Sequence, residues 1–260
     1  KDRMPLKADL LDVHHGEGRI DWPVVLTQVR GGIVKAHDGY FMPKVASTPQ
    51  APAHDYTWHF DPRFPENWQG LVGAEIRGAY SYVRFNYEKR PWDKDATIAR
   101  QAEMFVQHVK EYGLMPEDIL VGDFEQVTAQ ISYLTQKQII DRTRLWLAMV
   151  EDLAMRKPYI YCSSGWWNEH IGDQAWASQY NLWVADYTPP LRLPVGFQTY
   201  FAHQYTDKAT LDGVKSACDL SNLNPNFVPP TPPTPPLSLD SLDNRISKLE
   251  EWAVTKGYVR

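Results

Sequence analysis

Asp123 and Glu125 stand one residue apart at the end of the apolar run Ile119-Leu120-Val121-Gly122. Side chains at i and i+2 of a strand point to the same side, so this run would deliver two carboxylates together where the strand ends. A pair of that kind can do acid/base work when its surroundings hold one member protonated and the other charged. An isolated D-x-E is also what any strand entering a surface loop can show, so the pair needs support from the rest of the chain. Further acids sit in the same situation. Asp12 lies near the end of the run 9–13, and Asp186 and Asp219 lie in the runs 182–187 and 217–220.

The elements that would carry these residues can be read from apolar spacing. Strand-like runs occur at 9–13, 32–36, 78–83, 119–125, 159–162, 182–187, 201–205 and 217–220. Between the early ones, Ile98, Ala102, Phe105, Val109 and Tyr112 follow helical spacing up to Gly113, a helix terminator. Thr135 with Gln138 forms a capping-box pattern ahead of a helix that Pro158 stops. Asp21 and Pro23 are placed to open another. Strands alternating with helices predict a parallel sheet, and eight of them predict an α/β barrel of the triosephosphate isomerase type with reduced helices near its C-terminal end. Chemistry in such a barrel collects at the strand ends, where Asp12, Asp123, Glu125, Asp186 and Asp219 would meet. The segment Phe41–Gln69 reads as a long irregular loop, of the length that usually forms a lid or binding edge.

Composition narrows the partners. A formal charge of −5 and a pI near 5.9 give no basic face for nucleic acid. Ten Trp and fourteen Tyr supply the flat apolar surfaces that sugars pack on, as well as ordinary core. Two cysteines, Cys162 and Cys218, are too few for a metal cluster or a disulfide framework and read as buried free thiols. No run is long and apolar enough to span a bilayer. Residues 1–9 contain no apolar signal core, and a start at Lys1 rather than Met fits a leader already removed.

These features predict a barrel over residues 1–224, then a change of character. Residues 225–236, rich in Pro, predict a semi-rigid extended linker. Residues 237–260 predict a short helix, with Leu239, Leu242, Ile246, Leu249 and Ala253 on a heptad seam. So short a helix is marginal alone. It would self-associate through 239–253, pack on the barrel, or dock on another protein.

The stretch Asp12-Val13-His14-His15-Gly16-Glu17-Gly18-Arg19-Ile20-Asp21-Trp22 resembles the opening motif of glycoside hydrolase family 25, the Chalaropsis-type lysozymes, D-V-S-H-x-Q-G-x-I-D-W. Lys35-Ala36-His37-Asp38-Gly39 is similar to that family's K-A-T-E-G, Gly78-Ala79-Tyr80-Ser81-Tyr82 to its G-A-Y-H-F, and Asp123-Phe124-Glu125 to its D-x-E. Tyr159-Ile160-Tyr161 with Trp167-Asn168, Leu182-Trp183-Val184-Ala185, Gln204-Tyr205-Thr206 and Asp219-Leu220-Ser221 follow in the family's order. The resemblance covers about residues 8–227.

It implies an N-acetylmuramidase without metal or other cofactor, cutting the β-1,4 bond between N-acetylmuramic acid and N-acetylglucosamine in bacterial peptidoglycan. Such an enzyme acts secreted from a cell or encoded by a phage. Carried over, Glu125 is the general acid/base, Asp123 steadies the substrate's acetamido group, and Asp12 shapes the charge of the site. Tyr80, Tyr82, Tyr161, Trp183, Asp186, Gln204 and Asp219 fall among the substrate-binding positions. The chain departs from the pattern at His14 for Ser, Glu17 for Gln, Asp38 for Glu and Ser81 for His, which bears on substrate range more than on reaction type. Two rivals stand beside this reading. A chitinase-like hydrolase would need an acid where Val121 stands. A barrel that binds wall glycan without cutting it, as part of a phage or surface assembly, would have no use for clustered repelling acids.

Overall fold

In a computed structural model of the chain, which describes residues 6–43, 56–89 and 96–227, the expected eight strands close into a barrel. They are β1 (Leu10–Val13), β2 (Gly31–Pro43), β4 (Ile76–Tyr82), β5 (Ile119–Asp123), β6 (Tyr159–Ser163), β7 (Leu182–Ala185), β8 (Ala202–Ala209) and β9 (Cys218–Leu223), with β3 (Tyr56–Phe60) added outside the ring. From β1 round to β8 all neighbours in the ring are parallel. β9 is antiparallel to both β8 and β1. Residues 210–217, which join β8 to β9, contain no helix, and a short connection can reverse the chain but cannot carry it back for a parallel crossover. The all-parallel expectation therefore fails at the last strand.

The segment 41–69 also differs from the irregular loop expected. β2 runs on past the barrel to Pro43 and pairs antiparallel with β3, and a helix, α2 (Phe64–Gly70), follows with Pro65 in its first turn. The alternation Tyr56, Trp58, Phe60 was the period-2 signal for β3, masked by the prolines around it. Residues 44–55 lie outside the described part, as do all but the first three residues of the linker expected over 225–236 and the whole heptad tail expected over 237–260.

Helices cover the barrel where the connections are long. α1 (Trp22–Val25) starts with Pro23 as anticipated, although the Asp21 side chain makes no capping hydrogen bond. α3 (Ile98–Glu111) is capped by Thr97, whose hydroxyl accepts from the Arg100 N–H, and the chain leaves it through Gly113 at φ 85°. α4 (Thr128–Ile131) precedes α5 (Gln136–Ala154), which opens with the reciprocal Thr135/Gln138 capping box. α6 (Ser164–His170) is the last α-helix among the described residues.

Two apolar layers result. Between sheet and helices, Phe105, Phe124 and Trp146 are fully buried, with Trp146 5.7 Å from each of the other two rings. Removing such a ring costs roughly 3–5 kcal/mol, so Trp146→Ala would be severe. Inside the barrel, Leu10, Ile33, Val121, Tyr159 and Phe201 fill the axis, and Phe227 packs on the last two at 6.5 and 5.0 Å. Gly122 has a packing reason, because a Cβ there would lie 2.7 Å from the rings of Phe124 and Trp146. Cys162 and Cys218 are buried and free. No described helix is long and apolar enough to cross a membrane.

Candidate active site

The ladder does not stop at Asp123. The Phe124 N–H donates to the Tyr161 carbonyl at 2.9 Å and the Val83 N–H to the Asp123 carbonyl at 3.0 Å, which keeps the chain extended for two more residues. Phe124 is anchored in the outer layer, so Asp123 and Glu125 both turn inward. They open into a cleft of about 220 Å3 at this end of the barrel, where Asp12 and Asp219 also project. Asp12 and Asp219 are direct register partners across β1 and β9. Because β9 is antiparallel, Asp219 reaches the cleft from the start of its strand rather than its end.

Four carboxylates in one partly dry cleft cannot all ionise freely. Burial, then the charge of Glu125, pushes Asp123 well above the usual carboxylate range, and its Oδ1 has no hydrogen-bond partner among the described residues. Burial and Asp219 raise Asp12, against a hydrogen bond from Gln204. Glu125 is lifted to about 7 by burial and by Asp219, with Lys35 pulling the other way. Asp219 is raised to about 6 by burial and the charges of Glu17 and Asp207. Near neutral pH the cluster therefore retains protons, and Glu125 titrates in the range where a donor can also become an acceptor.

Tyr80, Tyr82, Tyr161 and Trp183 line the walls, as the sequence suggested. Gln204 sits behind them, almost fully buried, and organises the acids. Its Nε2 donates to Asp12 Oδ2 at 3.0 Å and, more weakly, to Asp219 at 3.4 Å, while its Oε1 accepts from the hydroxyls of Tyr161 and Tyr187 at 2.8 and 2.7 Å. Asp186 is not brought to the cleft. Its carboxylate accepts from the Thr188 and Arg192 N–H groups at 3.1 and 3.0 Å and from the Arg192 guanidinium, which holds it below the usual range.

Two further residues line the cleft: Lys35, which was not singled out from sequence, and His14, which was noted there only as a departure from the family pattern. A lone cation inside the apolar run 32–36 was the available signal for Lys35. The β2–β4 register shifts between Lys35 and His37, a bulge that lets Lys35 and Asp38 emerge together, with Nζ 3.1 Å from Asp38 Oδ2. His14 caps the short 3-10 turn His15–Glu17. Its Nδ1 accepts from the Gly16 N–H at 2.9 Å, which leaves Nε2 to carry the proton facing Glu17 at 3.2 Å.

The departures from the family pattern separate in space. His14 is on the cleft, and Asp38 borders it through Lys35. Ser81 is buried behind the wall, where its Oγ meets Nδ1 of His37 at 3.0 Å, and these two are register partners on β4 and β2. The family pattern has a hydroxyl at position 37 and an imidazole at 81. Here the imidazole is at 37 and the hydroxyl at 81, and the two are in contact.

Comparison with known proteins places the fold and the family. The chain is 26% identical over 223 residues to the uncharacterized protein YegX of Escherichia coli K12, an alignment covering 82% of this chain and 68% of that protein. Its fold is similar to that of a bacterial lysozyme from Streptomyces coelicolor, with a TM-score of 0.68 at 23% identity over 86% of this chain and 94% of the other. A family 25 glycosyl hydrolase from Bacillus anthracis gives 0.64 at 19% identity over 87% and 92%. The spore cortex lytic enzyme SleM of Clostridium perfringens gives 0.65 at 19% over 93% and 71%. The sequence profile of glycosyl hydrolases family 25 matches residues 11–214, most of the barrel, and the chain belongs to that family of glycoside hydrolases.

Proposed function

We propose that this chain is a peptidoglycan hydrolase, an N-acetylmuramidase that cuts the β-1,4 bond between N-acetylmuramic acid and N-acetylglucosamine. The observation that carries the reading is Glu125, lifted to about 7 on the same strand face as Asp123. Glycoside cleavage passes through an oxocarbenium-like state and needs a proton at the leaving oxygen with negative charge near the ring. Glu125 gives that proton as the C–O bond breaks. The oxygen of the substrate's own acetamido group attacks the anomeric carbon from the other side, and the Asp123 carboxyl accepts a hydrogen bond from the acetamido N–H, whose growing positive charge favours the ionised form of that carboxyl. Glu125, now ionised, accepts a proton from the water that opens this cyclic intermediate. Asp12 and Asp219 keep the proton affinity of the cluster high, and Tyr80, Tyr82, Tyr161 and Trp183 provide faces and hydroxyls for the sugars.

The family's lysozymes act on cell walls, so the site of action is the bacterial wall, reached by secretion or from a phage. Val121 is fully buried on the barrel axis, where the chitinase-type signature would carry an acid. Incubation with purified peptidoglycan, followed by turbidity and identification of the new reducing end, tests the proposal. Muramic acid ends are expected. Glucosamine ends, or no ends, would overturn it. Glu125→Gln should lower the rate by roughly 10²–10⁴-fold while the barrel still folds.

A further inference from the structure

Arg84 stands just beyond β4, at the same end of the barrel as the acids. Its main chain is fixed, since the Gln101 side chain on α3 accepts from the Arg84 N–H and donates to its carbonyl, both at 2.9 Å. The guanidinium lies 4.5 Å from the ring of Tyr82 and 5.0 Å from that of Tyr40. Its Nη2 is 3.5 Å from Asp38 Oδ1, a loose contact, and its Nε has no hydrogen-bond partner among the described residues. Asp38 is already engaged. Its Oδ2 meets Lys35 Nζ at 3.1 Å and His59 Nδ1 at 3.0 Å. Asp38 thus answers Lys35, His59 and Arg84 at once, and Lys35 also acts on Asp123 and Glu125, so Arg84 is the rim cation held most loosely. Burial opposes the charge on Asp38, but the His59 hydrogen bond and the charges of Lys35 and Arg84 outweigh it and hold this carboxyl ionised.

This rim adjoins the cleft, because Lys35 and Tyr82 line both. The cleft itself is acidic and would repel an anionic ligand group. Arg84 offers a fork of N–H donors suited to a carboxylate, a quarter exposed and with its backbone already ordered. We infer that Arg84, with Lys35 beside it, receives a carboxylate of the peptide stem carried by the glycan. This rests on the peptidoglycan reading above and adds a substrate preference: peptide-bearing over peptide-free strands.

The full chain should be assayed on purified peptidoglycan and on the same material treated with an amidase that removes the peptides. The ratio of kcat/KM for the first over the second is expected to fall about tenfold in Arg84→Gln, the range of a charge-assisted bidentate contact. Arg84→Lys, which keeps the charge and loses the fork, should fall between. The wild-type ratio should also shrink with added salt. An unchanged ratio overturns the inference. So does an equal loss on both materials, because the stripped glycan has lost every stem carboxylate and carries only the lactyl carboxylate that the amidase frees. If wild type releases no reducing ends from either, the hydrolase reading fails separately. Binding of the Glu125→Gln chain with and without Arg84→Gln then decides the rim, which must weaken retention on peptide-bearing glycan alone.

Discussion

Gln204 and Asp12 are joined by a 3.0 Å hydrogen bond between side chains 192 residues apart, and the same amide takes the hydroxyls of Tyr161 and Tyr187 on its oxygen. The amide is the one neutral group that ties acids to aromatic wall. Gln204→Leu leaves a buried acid and a buried hydroxyl without their partner, which costs roughly 2–4 kcal/mol, and the melting temperature should drop by about 5–10 °C. Gln204→Glu keeps the acceptor but sets a carboxylate against Asp12, so its deficit in melting temperature should be larger at pH 8 than at pH 5.

The pH profile follows from Glu125. As the proton donor it must hold its proton, so kcat/KM should decline as pH rises through about 7. Lys35 is the charge that pulls Glu125 down. Lys35→Met should therefore move the alkaline limb upward, and a limb that stays in place in the rate profile would remove Lys35 from that role.

Stability should run the same way. Glu125 binds its proton more tightly folded than unfolded, so its contribution is complete below its ordinary value of 4.5 and is lost as pH rises through about 7. Glu125→Gln should match wild type near pH 4 and exceed it at pH 8, by at most about 3 kcal/mol. Denaturant midpoints at the two pH values measure this.

His37 and Ser81 make a double-mutant cycle with a definite sign. Ser81→His alone would place two imidazoles in one buried site, and His37→Thr alone would leave Ser81 facing a shorter group across a gap. The double variant restores the family arrangement, so it should be more stable than the sum of the singles by at least about 1 kcal/mol. Thermal melts of all four proteins give the coupling. His37 is held neutral, its pKa lowered to about 3 by burial, so the coupling should not change between pH 5 and 8.

At the opposite end of the barrel, Arg77 binds Asp118 through both oxygens at 2.7 Å, with Asp118 1% exposed. Removing one partner of such a pair costs roughly 3–5 kcal/mol because the other charge stays buried alone. Arg77→Met should lose about that much in chemical denaturation and leave kcat/KM on peptidoglycan near wild type. Asp118→Asn in the same chain should recover much of the loss.

The barrel was legible because each of its eight strands is a short apolar run of its own, and the acids are visible where those runs end. Glu125, Asp123 and Asp12 needed only strand periodicity and spacing to be brought together. Four things were not legible. The direction of β9 depends on the length of the connection before it, which apolar patterning does not record. Asp186 looked like the other strand-end acids, but its fate was set by Arg192, six residues on in a loop. Lys35 enters the cleft through a bulge, and a one-residue register shift leaves no mark in the composition of β2. Ser81 read as a departure bearing on substrate range, whereas it is buried behind the wall against His37 on the neighbouring strand.

The seam between β1 and β9 has a consequence for assembly in time. Asp12 belongs to the first strand of the barrel and Asp219 to its last, and the two face each other in register. A ribosome-bound chain that has extruded β1 to β8 still presents two open sheet edges and an acidic set lacking one member. Until the final strand drops into the gap the cleft holds Asp12, Asp123 and Glu125 without Asp219, so the proton affinities that Asp219 raises in Asp12 and Glu125 are set last.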